Sequence, residues 1–262
     1  MYSIDHLLDL MAQLRDPEKG CEWDVKQDFH SLCSHTIEEA YEVVDAVQRN
    51  HIDDLRDELG DLLLQVIFYS QIAREDGLFD FGTVVSGLAD KLIRRHPHVF
   101  DDSASFTQQQ RTEAWEKVKN AEREAKTTET PSRLDGIAGN LPALIQAAKI
   151  QQRAANAGFD WKEVEPVFSK IKEELEEVED ARQTGSQDAI EDEIGDLLFA
   201  VVNLARHTNV DAETALRRAS IKFTNRFQYI EARLKQTGLE MEAVALSELD
   251  RIWDEAKTHG IN

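Results

Sequence analysis

The chain has 262 residues, enough for one large or two modest domains. Its 51 acidic residues outweigh 30 basic ones, and the formal charge of −21 repels a phosphate backbone, which argues against nucleic acid as a partner. Hydrophobic residues make up 41% and charged residues 31%, with 12 Gly and 5 Pro; long helices around a proper core are favoured over short strands and turns.

Met1 to Leu14 reads as an amphipathic helix and not as a leader. Cys21 and Cys33 lack CxxC spacing and define neither a disulfide framework nor a zinc site. The longest apolar stretch, around Leu62 to Ile72, is interrupted by Gln65, Ser70 and Gln71 and is too short to span a bilayer. No membrane partner and a cytoplasmic setting are therefore expected.

The dominant feature is a duplication. Residues 38–67 align without a gap on residues 173–202, and 15 of the 30 positions are identical. Gly20-Cys-Glu-Trp23 matches Gly158-Phe-Asp-Trp161 upstream. Lys91 and Arg95 match Lys222 and Arg226 downstream, and Trp115 matches Trp253. Residues 121–140 lose the apolar period and collect Thr, Pro131, Gly136 and Gly139, which marks a linker between a repeat at 1–120 and another at 141–262. Each repeat offers four or five helices with apolar spacing such as Leu59, Leu62, Leu63, Val66 and Ile67. The fold class expected is all-α: tandem duplicated helical bundles.

Helix residues three apart share a face. Glu174 and Glu177 form one such pair, Glu193 and Asp196 another, and a turn near Gly185 lets their helices run antiparallel. Four converging carboxylates repel one another unless a hard cation sits among them, and oxygen ligands suit Mg²⁺ or Mn²⁺. Glu39, Glu42, Glu58 and Asp61 repeat the set as a second, weaker candidate site. The alternative for any single ExxE is a solvated face, but here the acids adjoin the apolar GDLL run and recur at a fixed offset. No His follows a Glu by three residues, so di-iron ligation is not indicated. Gly82 and Gly87 have P-loop spacing, but Leu88 and Ala89 stand where Lys and Ser or Thr are needed.

Lys222 and Arg226, one turn apart, are candidates for polyphosphate contact or for a solvated basic face. Trp253 is a candidate for stacking on a base or for core packing. Lys170 precedes Glu174 by four residues and either reaches the same site or makes an ordinary ion pair. Trp23 and Trp161 read as packing residues.

The words Glu173-Glu174-x-x-Glu177 and Glu193-x-x-Asp196, GDLL, and Arg94-Arg95-His96-Pro97-His98-Val99-Phe100 resemble the MazG nucleotide pyrophosphohydrolases, over essentially the full chain. The resemblance implies a usually dimeric all-α enzyme that cleaves nucleoside triphosphates between the α and β phosphates, with broad base tolerance. It implies metal ligation by Glu174, Glu177, Glu193 and Asp196, phosphate contacts from Lys170, Lys222 and Arg226, and a nucleoside contact from Trp253. In the reading that follows, Mg²⁺ neutralises the triphosphate and activates a water for in-line attack at the α-phosphorus. Glu173 orients that water, and Glu193 is catalytic as well as a ligand. The N-terminal copy keeps its acids but has His35 where Lys170 stands, and Pro97 interrupts the helix after Arg95. The C-terminal half is therefore expected to do most of the work. The competing readings are a metal-binding helical scaffold without turnover, and an enzyme for a narrower set of triphosphates.

Overall fold

A computed structural model describes residues 2–100, 107 and 132–261. The chain divides into two units, residues 1–122 and 123–262. The described residues of both are helical, and none forms a strand. Trp115 lies outside the described residues.

The first unit contains α1 (Ile4–Leu14), a short α2 (Glu22–Val25), α3 (Cys33–Gln48), α4 (Ile52–Glu75), α5 (Phe81–Arg95) and a short α6 (Pro97–Phe100). Helices α3 and α4 pack most extensively on each other. Three residues join them, and the middle one, Asn50, takes the left-handed conformation at φ 55° that a short polar side chain tolerates. Helix α5 begins at Asp80, whose Oδ1 accepts the Thr83 amide at 2.8 Å. It ends at Arg95, and α6 begins on Pro97, as the proline requires.

The core of this unit is Met11, Leu32, Ile67, Phe68 and Ile72. Arg15, at the end of α1, clamps the Glu75 carboxylate at the end of α4 through Nε at 3.0 Å and Nη2 at 2.7 Å. Its Nη1 donates to the Asp24 and Gln27 carbonyls, so one side chain gathers α1, α2 and α4.

The second unit contains α7 (Ala143–Asn156), α8 (Glu165–Thr184), α9 (Gln187–His207), α10 (Ala212–Thr237), a 3₁₀ turn (Met241–Ala243) and α11 (Leu246–Thr258). Helices α8 and α9 are its most extensively packed pair. Only Gly185 and Ser186 separate them. Gly185 closes α8 in the left-handed conformation, φ 73°, and Ser186 caps α9 by accepting the Ala189 amide. So tight a turn forces the two helices antiparallel. Ile230, Leu234 and Ile252 form a smaller core between α10 and α11, with Trp253 packed against it. Leu134 to Gly136 are tied to α7 by Arg153, whose guanidinium donates to their three carbonyls.

Candidate metal centre and adjoining cavity

The antiparallel α8–α9 pair brings three of the four acids together and leaves the fourth outside the group. Carboxylate oxygens of Glu174, Glu177 and Glu193 lie within 4.8 Å of one another. Asp196 stands outside that group but lines the adjoining cavity beside Glu174. In the first unit the group within the same distance is Glu39, Glu58 and Asp61, with Glu42 outside it but against Glu58. Each half thus gathers three acids and holds a fourth nearby.

Glu174 is the buried member, 4% exposed. Its Oε1 accepts from Lys170 Nζ at 2.6 Å, and its Oε2 is buried with no hydrogen-bond donor. Lys170 also pairs with Glu173 at 2.7 Å, and these two acids raise its pKa, so the ammonium stays charged. Burial, with Glu174 next, pushes the Glu177 carboxyl above its usual range. Burial raises Glu39 and Glu58 as well, reinforced by neighbouring carboxylates. An orphaned buried carboxylate oxygen inside a cluster of oxygen donors is the condition a hard divalent cation relieves. The residues present fit such an ion.

Beside the cluster lies a cavity of about 800 Å³, within the range of small-molecule sites. Lys170, Glu174 and Asp196 are among its lining residues. Asp160, Asn203 and Arg206 line it too, with Arg206 Nη2 donating to Asp160 at 2.6 Å and to Asn203 Oδ1 at 2.7 Å. Arg206, followed by burial in the opposite sense, holds the Asp160 carboxyl below its usual range.

Trp161 lines the same cavity and is 44% exposed, so it is not the core packing residue its position in the sequence suggested. Trp23, its counterpart, is 52% exposed. Apart from Asp196, the cavity residues of α7 and α9 carried no motif; the signal for Trp161 was the repeated Gly-x-x-Trp word before each acid helix.

Lys222, Arg226 and Trp253 are not brought to this cavity. Arg226 Nε donates to the Ile261 carbonyl at 3.0 Å, and its guanidinium lies over the Trp253 ring, 5.5 Å from the centroid. The Phe223 ring meets the same indole at 5.1 Å. Trp253 is therefore part of the α10–α11 packing, and Lys222 lies on the exposed surface of α10.

A duplicated all-α protein with a carboxylate cluster in each half that could hold a metal ion, and a ligand-sized cavity beside one of them, defines a narrow class. The MazG nucleotide pyrophosphohydrolase domain matches residues 27–100 and 162–230. The chain belongs to the MazG family. It is 48% identical to the nucleoside triphosphate pyrophosphohydrolase of Escherichia coli (strain K12), over an alignment covering all of both chains. It is 45% identical to the nucleoside triphosphate pyrophosphohydrolase/pyrophosphatase MazG of Thermotoga maritima, covering 97% of this chain and 95% of that one. YabN of Bacillus subtilis is 40% identical over 95% of this chain and half of its own length.

Proposed function

We propose that the chain is a nucleoside triphosphate pyrophosphohydrolase whose working centre is the carboxylate cluster of α8 and α9. The observation that carries this assignment to the C-terminal half is the buried, unpartnered Glu174 Oε2 opening beside a cavity that also presents a lysine. Family membership, with full-length relatives of that name at 45–48% identity, supports the reaction.

Glu174, Glu177, Glu193 and Asp196 are the proposed ligands of Mg²⁺, with Mn²⁺ as a substitute. Held there, the cation supplies charge neutralisation for the triphosphate and Lewis acidity for the attacking water. Water oxygen bonds to the α-phosphorus, the α–β bridging bond breaks, and the products are the nucleoside monophosphate and pyrophosphate. Lys170, kept charged by Glu173 and Glu174, is proposed to exchange those partners for phosphate oxygens. Glu173, on the solvent side of the same lysine, is proposed to orient the water. Phosphate contacts from Lys222 and Arg226, and a nucleoside contact from Trp253, rest on the family resemblance alone.

The protein is proposed to work as a homodimer in the cytoplasm. Leu198 and Val201 on α9 are 51% and 44% exposed, and Phe223 on α10 is 57% exposed. Apolar surface of this kind is the sort that a second chain covers. Among the described residues no helix is long and apolar enough to cross a membrane.

Separation of the products tests the reaction. Monophosphate and pyrophosphate are expected, and diphosphate with orthophosphate overturns the assignment.

A further inference from the structure

Residues 132–136 fall in the stretch whose composition marks a linker, yet they form part of a cavity wall. Leu134 lines the cavity beside the carboxylate cluster and is 42% exposed. Leu134, and the Arg153 that ties this segment to α7, both lie outside the two stretches that match the family domain.

The segment is a turn closed on itself. The Ser132 amide donates to Asp135 Oδ2 at 2.8 Å, and the Asp135 amide returns to the Ser132 carbonyl at 3.1 Å. Gly136 follows in the left-handed conformation, φ 73°. These features shape the turn and do not attach it. Attachment to α7 comes from Arg153, whose Nη1 donates to the Leu134 carbonyl at 3.0 Å and to that of Asp135. Its Nη2 donates to the Gly136 carbonyl at 3.4 Å. A planar guanidinium with five donors suits three successive carbonyls, whereas an ammonium is a compact point charge. Arg153 stands about 15 Å along α7 from Ala143, so residues 137–142 run back beside the helix before entering it.

Arg153 is not itself a wall residue. Ile150, Gln151 and Ala154 make the cavity face of α7, and Arg153 flanks that face. Its reach into the cavity is through Leu134. Phe159 and Trp161, 86% and 44% exposed, share the lining with this leucine. A molecule in the cavity covers the open parts of these side chains, which favours binding. An irregular segment contributes such a contact well only when its backbone is held in place.

We propose that Arg153 is a positioning residue for the substrate, acting by holding the 132–136 turn so that Leu134 packs against the bound triphosphate. The proposal rests on the pyrophosphohydrolase reading, with the substrate in this cavity. It assigns to the stretch between the repeats a part in substrate affinity, through a contact that is lost when one guanidinium is removed.

A double-mutant cycle in the full chain tests it. KM and kcat with Mg²⁺ are measured for whichever nucleoside triphosphate of a panel is turned over best, in Leu134→Ala, Arg153→Met, Arg153→Lys and the Leu134→Ala/Arg153→Met double variant. Leu134→Ala and Arg153→Met are each expected to raise KM about fivefold to tenfold, the worth of part of one leucine side chain, with kcat within about twofold. Arg153→Lys raises KM about threefold, since one ammonium holds the turn less well. The double variant stays within about twofold of the larger single effect, because both changes remove the same contact. An unchanged KM in Leu134→Ala or in Arg153→Met overturns the proposal. So does a double variant whose KM rises by the product of the two single effects. A fall in kcat at unchanged KM marks Arg153 as a residue of the fold alone and also overturns it. If Arg153→Met does not fold by circular dichroism, Arg153→Lys takes its place in the cycle under the same readings. An unaltered chain that makes diphosphate and orthophosphate sinks the pyrophosphohydrolase reading, and the cycle is then read on the KM of that reaction. A chain that turns over none of the panel overturns both.

Discussion

Lys170 Nζ lies 2.6 Å from Glu174 Oε1, one helical turn along α8, and supplies the counter-charge for a carboxylate that is only 4% exposed. The pair explains how the cluster tolerates a buried acid, since an unpaired charge there is costly. Under the proposed function it also gives Lys170 a second partner to exchange for phosphate. Lys170→Met is expected to raise KM for the triphosphate by about tenfold or more, the cost of one charge-assisted hydrogen bond. Mn²⁺ affinity stays the same or tightens, because a competing cation has gone. Steady-state kinetics and Mn²⁺ titration check both; an unchanged KM removes Lys170 from the substrate.

The metal prediction follows from the three oxygens within 4.8 Å and the orphaned Glu174 Oε2. Chelation abolishes turnover, and Mg²⁺ or Mn²⁺ restores it. Without nucleotide, Mg²⁺ at a hundredfold excess over its Kd stabilises the fold by about 2.7 kcal/mol. Thermal unfolding in chelator and in Mg²⁺ measures it. Identical midpoints together with full turnover in chelator contradict a metal centre.

Asp160 ties the segment before α8 to Arg206 and His207 on α9, at 2.6 and 3.1 Å. Its folded pKa is depressed, chiefly by Arg206, so its stabilisation is present above the unfolded value near 3.8 and is lost as pH falls through the lower folded one. Asp160→Asn is expected to cost about 1.5 kcal/mol or more at pH 7, where charged hydrogen bonds are lost. The gap to the unaltered chain narrows below pH 3.8. Urea unfolding across that window decides it. A gap that persists unchanged in acid means that the Asp160 charge is not its source.

The dimer prediction rests on Leu198, Val201 and Phe223, apolar and half-exposed on α9 and α10. Light scattering at micromolar concentration should give twice the chain mass. A monomeric mass removes the second chain from the account.

The helices and the paired acids were legible because both depend on local period. A spacing of three puts Glu174 and Glu177 on one face whatever packs against it, and the duplication repeats the pattern in 38–67. Pro97 likewise marks its helix boundary by itself. The surroundings of the site were less legible. Trp161 and Trp23 occupy matching words, yet one borders an open cavity and the other meets Phe68, a difference made by side chains arriving from another helix. Lys222, Arg226 and Trp253 have suggestive types and spacing, but Arg226 turns to the Ile261 carbonyl and the indole. No periodicity encodes that choice.

The division of labour between two clusters of the same acids is tested most directly by pyrophosphate release from Glu193→Gln and Glu58→Gln, each in the full chain with Mg²⁺. Both substitutions nearly conserve size, and circular dichroism confirms the fold. Glu193 shares its cluster with the buried Glu174, beside Lys170 and the open cavity; Glu58 sits in the copy that has His35 and Phe68 in the matching places. Loss of one acid lowers cation affinity and misplaces the attacking water, so Glu193→Gln is expected to reduce release by about 10²-fold or more. Glu58→Gln should retain most of the activity. Equal losses from both, or a loss confined to Glu58→Gln, contradict the assignment of catalysis to the C-terminal half.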